Sequence, residues 1–157
     1  MLIKVNEDLI ESRIREINDA IQLLRELTTK NFKDLTIYEK LSMRYLIIQL
    51  VEAASSICIH ILYNLFNERA EGFPECFMRL KTKGILSEEL ALKLALAARL
   101  RNLLVHRYRV IVDEIVYKNV KESLKDFEDF ISHIRAVSYT HLRAHETEAD
   151  LVCRLLL

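Results

Sequence analysis

Turn-formers are almost missing from this chain: two glycines and one proline stand among 157 residues, where the pair averages about 12% of a protein. So few reversals exclude the many tight turns of a sandwich or barrel and the glycine-rich phosphate loop of a dinucleotide fold. Net charge is missing too, with 23 Lys and Arg against 23 Asp and Glu. A neutral chain has a weak long-range field, so any attraction to nucleic acid must come from local clustering. The three cysteines, Cys58, Cys76 and Cys153, are odd in number, widely scattered and without CxxC or zinc-ligand spacing. They read as reduced thiols in a cytosolic protein. The first residues, MLIKVNEDLIESR, lack the apolar core and small-residue cleavage site of a signal peptide, which leads to the expectation of a cytoplasmic protein. HExxH, GxSxG and GxxxxGK are absent as well.

What is present is helical patterning. Hydrophobic residues make up 51% and charged residues 29%, a balance ordinary for one folded domain with its own core. Ile10, Ile14, Ile17, Ile21 and Leu24 recur at spacings of three and four, predicting a first helix over about 5–28. A second, over about 36–67, is apolar on more than one face and should be central. Pro74 suits the first turn of a short third helix ending near Gly84, and Ser87 is placed to cap a fourth over about 88–108. Asp113 is the expected cap of a fifth, in which Val116, Val120, Leu124, Phe127, Ile131 and Ile134 keep helical spacing to about Ala136. Five helices with short connections predict an all-α, up-and-down bundle.

Two stretches need separate treatment. Residues 45–66 are apolar over the length of a membrane span, yet they hold Gln49, Glu52, His60 and Asn64. Charge is costly at bilayer depth, so a core helix is expected and no membrane. Past Val137 the composition changes: SYTHLRAHETEADLVCRLLL resembles translated adapter or vector sequence. The expectation is a helical domain over 1–137 and a non-native tail over 138–157. His141 and His145 stand at a metal-binding i, i+4 spacing within that tail, but no third ligand is near, and no metal is expected.

One segment concentrates positive charge. Between residues 99 and 109 lie Arg99, Arg101, Arg107 and Arg109, with His106 among them and no acid, which is where a phosphate chain would settle. On a straight helix Arg101 and Tyr108 nearly eclipse, and Asn102 and His106 lie one turn apart, while Arg101 and His106 are about 140° apart. Convergence of Arg101 and His106 needs either a bend after Val105 or two copies packed about a two-fold axis. From spacing alone a plainer reading stays open: a basic last turn favours the helix dipole, and a lone histidine among Leu and Val is often a packing residue.

The run RNLLVHRY, Arg101 to Tyr108, fits the RX4HXY motif and resembles the HEPN superfamily, specifically the HepT-like toxins paired with a MntA-like minimal nucleotidyltransferase antitoxin. LVEAASSICIHIL and GILSEELALKLALAARLRNLLVH resemble the same family, and the likeness covers about residues 5–136. The resemblance implies a HEPN-type bundle acting as a homodimer, and a metal-independent endoribonuclease with no cofactor and RNA as substrate. His106 would serve as general acid or base and Arg101 would hold the scissile phosphate. Asn102 would orient phosphate or imidazole, and Arg107, like Arg99 and Arg109, would contact phosphate or carry solvated charge. Tyr108 resembles an acceptor for AMP added by the antitoxin, a modification that would repel RNA; a phenol packed at a dimer seam is the alternative. Glu52 is expected either to orient Arg101 or bind a partner, or to be a buried acid paired with Arg44 or another base. A rival function is a non-catalytic module whose basic face binds a nucleotide or a nucleotidyltransferase.

Overall fold

A computed structural model describes residues 5–156, with side chains to Ser138. Among these residues are five helices and no strand: α1 (Glu7–Leu27), α2 (Ile37–Phe66), α3 (Phe73–Thr82), α4 (Glu88–His106) and α5 (Asp113–Leu156). Single 3-10 turns at Phe32–Asp34 and Tyr108–Val110 precede α2 and α5.

Local chemistry sets most helix ends. The Asn6 side chain accepts the Leu9 N–H to start α1. Thr36 and Glu39 form a reciprocal capping box at α2, and Ser87 accepts the Leu90 N–H at α4 as expected. Pro74 lies in the first turn of α3. That helix closes on Gly84 at φ +76°, where the Gly84 N–H reaches the Lys81 carbonyl and the Ile85 N–H reaches Leu80. Glycine bears this left-handed stop without strain.

Three boundaries depart from expectation. Helix α4 stops at His106 rather than 108, because Arg107 leaves helical geometry at φ −135°, ψ 44°. Asp113 is not a flanking cap: it is the first residue of α5, and its carboxylate is spent on Arg44. Helix α5 continues to Leu156 instead of ending near Ala136; no Gly or Pro follows Ala136 to halt it.

The central role expected of α2 is observed. It packs against each of the other four helices and buries Met43, Leu50, Val51, Ile57, Ile61 and Leu62. It is long and apolar enough to cross a membrane, but most of that apolar window is covered by the rest of the bundle. Phe77 of α3 meets Phe130 of α5 edge to face at 5.8 Å, both fully buried, closing the core on the far side.

The expectation of three reduced thiols is corrected for two of them. Cys58 and Cys76 are joined as a disulfide with their Cα atoms 6.2 Å apart, tying α2 to α3. They stand 18 positions apart in sequence, so only the packing of the two helices brings the sulfurs together.

Two residues beyond Cys58 on α2, His60 is half-buried. Its Nε2 accepts the Asn6 backbone N–H at 2.9 Å, and Nδ1 lies 3.1 Å from Asn64 Nδ2. Burial holds its pKa below the ordinary histidine value of 6.5.

Candidate active site

The motif divides between two kinds of local structure. Arg101, Asn102 and His106 lie on α4, whereas Tyr108 sits in the 3-10 turn beyond the break at Arg107. The near-eclipse of Arg101 and Tyr108 expected for an unbroken helix is therefore lost. Helix α4 stays regular through His106, so no bend after Val105 turns His106 toward Arg101 within the chain.

Arg101 is held on several sides. Its Nε and Nη2 donate to Oε1 of Glu52 on α2, at 3.2 and 2.5 Å. Nη1 donates to Oδ1 of Asn102 at 3.0 Å. The Phe73 ring at the start of α3 lies under the guanidinium, with Cζ 4.9 Å from its centroid. The Arg101 side chain is only 18% exposed and that of Glu52 47%.

Of the two expectations for Glu52, the buried acid paired with Arg44 is thus incorrect: Glu52 lies at the surface, where a carboxylate keeps its hydration, and pairs with Arg101. Arg44 instead donates Nε to Asp113 Oδ1 at 2.6 Å and Nη1 to the Tyr108 carbonyl at 3.1 Å, bracing the turn that carries Tyr108. Asn102, expected to orient phosphate or imidazole, is engaged by Arg101.

The rest of the motif is open. His106, Arg107, Tyr108 and Arg109 are all exposed, with Tyr108 at 56%. The His106 ring makes no hydrogen bond among the described residues, and the side chains of Arg99, Arg107 and Arg109 pair with no carboxylate there. Beside them lie Leu103, Val105, Val110, Val112 and Ile115, all exposed apolar side chains. Within the single chain His106 lies on the surface and is not part of the helical core.

No three His, Cys, Asp or Glu side chains gather in a metal-binding group among the described residues. His141 and His145 lie outside the described side chains.

Sequence reasoning missed two contributors. Phe73 is 28 positions before Arg101, and Arg44 is 64 before Tyr108; neither carries a local signal for contacts made only through tertiary packing.

An all-α five-helix bundle with a basic RX4HXY segment at the end of its fourth helix defines a HEPN-type protein. Residues 15–134 match the family model described as ribonuclease HepT-like, and the chain belongs to that family. It is similar to a tRNA nuclease HepT of Aphanizomenon flos-aquae, 28% identical over 84% of this chain and 91% of the relative. An mRNA nuclease HepT of Shewanella oneidensis is 26% identical over 82% of this chain and 98% of the relative. The fold matches a tri-AMPylated Shewanella oneidensis HEPN toxin solved in complex with an MNT antitoxin. That match has a TM-score of 0.77 and 24% identity, covering 83% of this chain and 99% of that one.

Proposed function

We propose that the chain is the toxin of a toxin–antitoxin pair: a cytoplasmic, metal-independent endoribonuclease, active as a homodimer, with Arg101 and His106 as its catalytic residues. The observation that carries this reading is the state of the two motif side chains. Arg101 is oriented by Glu52 and Asn102, whereas His106 is exposed and neither ring nitrogen is hydrogen-bonded among the described residues.

The chemistry follows from those groups. A neutral His106 imidazole takes the proton of a ribose 2′-hydroxyl; the 2′-oxygen attacks the adjacent phosphorus and the bond to the 5′-oxygen breaks, leaving a cyclic phosphate. Imidazole titrates near neutral pH and suits this transfer. The His106 imidazolium formed in this way then gives its proton to the departing 5′-oxygen, which restores the neutral ring. Arg101 donates to the phosphoryl oxygens as charge builds on them. Dependence on the 2′-hydroxyl restricts the substrate to RNA. Arg99, Arg107 and Arg109 contribute local positive charge to a neutral chain, and the adjoining exposed apolar side chains suit a seam between two copies.

The proposed partner is a MntA-like nucleotidyltransferase. It would silence the nuclease by placing AMP on the exposed Tyr108 hydroxyl, where bulk and negative charge exclude RNA. The tail reading completes the proposal: the family match ends at residue 134, so residues 138–157 are taken as foreign and dispensable.

The test is RNA cleavage by the purified protein in EDTA. Cleavage should fall by at least about 100-fold in both Arg101→Ala and His106→Ala, each still dimeric, and should persist when the chain ends at Val137. Equal cleavage by parent and variants would assign the activity to a contaminant and favour the non-catalytic binding module. Loss of folding on truncation would overturn the tail assignment.

A further inference from the structure

We propose that Glu52 and Phe73, with Asn102, are positioning residues that lock the Arg101 guanidinium in the one orientation that presents its remaining donors outward. This inference rests on the reading of Arg101 as the phosphate-binding group.

The guanidinium has five N–H donors in a rigid plane. The structure commits three: Nε and Nη2 to one oxygen of Glu52, and Nη1 to Asn102. Two N–H groups are left, the number a bidentate phosphate contact uses. Phe73 fixes what those bonds leave loose. Its ring centroid lies 4.9 Å from the Arg101 Cζ, so swinging the cation away from the ring loses the cation–π contact. The hold is built from three elements, with Glu52 on α2, Phe73 at the start of α3, and Arg101 with Asn102 on α4.

An unheld arginine on the same surface would sample many rotamers and lose that freedom each time phosphate bound. Phe73 is itself held, since α3 is tied to α2 by the Cys58–Cys76 bond three residues further along. Glu52 has an opposing effect as well: its negative charge weakens the general attraction of this surface for a polyanion. Orientation and affinity are therefore set against each other at one carboxylate, which gives the proposal a distinctive kinetic signature.

Glu52→Gln removes the charge and loosens the guanidinium. RNA should bind at least as tightly, with KM unchanged or lower, while kcat falls by about tenfold, within the range that small misplacements of a reacting group produce. Phe73→Leu should lower kcat by a similar factor, and Phe73→Tyr, which keeps the ring, should restore it. A second readout is independent of activity. In nitrogen-15-labelled protein the Arg101 Nε–H signal, which lies beside the ring and in the Glu52 hydrogen bond, should move in Phe73→Leu. Phe73 also packs against the core; should its Leu variant unfold, Glu52→Gln at the surface and Phe73→Tyr carry the test.

Parental kcat in Glu52→Gln and Phe73→Leu, with an unmoved Nε–H signal and an inactive Arg101→Ala, would overturn the lock and leave the ribonuclease reading standing. Parental cleavage by Arg101→Ala would remove the reading on which the lock rests.

Discussion

The two ends of the motif are built on opposite plans. Arg101 is mostly buried and engaged by Glu52, Asn102 and Phe73, whereas five residues later His106 lies in a run of exposed side chains in which Tyr108 is held through its backbone carbonyl. A group that must bind charge in one orientation gains from being set beforehand, because ordering it does not then draw on binding energy. A group that must give and take a proton, or accept a modification, needs access instead. Since α4 stays helical through His106 and leaves the two side chains about 140° apart on it, the open end is the part that a second protomer would complete.

The brace on the open end breaks this comparison most strongly if removed. Arg44 joins the Tyr108 carbonyl to Asp113 and is largely covered, as is Asp113. Arg44→Ala takes the Nε donor from that carboxylate and leaves the Tyr108 carbonyl with the Ile111 N–H of its own turn, and should destabilise the fold by about 1–3 kcal/mol. Chemical denaturation measures this, and proteolysis should open the chain first between residues 106 and 113. An unchanged denaturation midpoint would show that the turn holds itself.

A smaller effect separates the two histidines. His60 is committed through Nε2 to the start of α1 and titrates below 6.5, whereas the His106 ring makes no such bond among the described residues. In the window below 6.5 the unfolded chain binds the His60 proton more readily than the folded one. The stability that His60 contributes is therefore complete above 6.5 and is lost as pH falls through the lower folded value. The thermal midpoint should decline modestly between pH 7 and 5, and His60→Gln should flatten this portion of the decline. An unchanged slope in His60→Gln would show that this ring does not carry it.

How far the sequence revealed this arrangement depended on whether the cause was local. Ser87, Pro74 and Gly84 mark helix ends because capping, a fixed φ and a left-handed stop act within a few residues. The central place of α2 was legible from its apolar faces. The early end of α4 was not: no Gly or Pro stands at Arg107, and the turn beyond it is held by Arg44, 64 positions before Tyr108. The far end of α5 was missed for the opposite reason, since changed composition past Val137 is no helix breaker. Arg101 and His106 were visible as charge and spacing, but Glu52 and Phe73 became parts of one site only when α2, α3 and α4 packed together. The Cys58–Cys76 bond was hidden in the same way.

The central claim, that two copies jointly make the catalytic centre, is most directly tested by tethering an Arg101→Ala protomer to a His106→Ala protomer and assaying RNA cleavage in EDTA. The account predicts activity well above that of either doubly substituted homodimer, because one intact guanidinium and one intact imidazole can still meet across the seam. A tethered pair as inactive as both homodimers, while the unsubstituted tethered dimer cleaves normally, would contradict it.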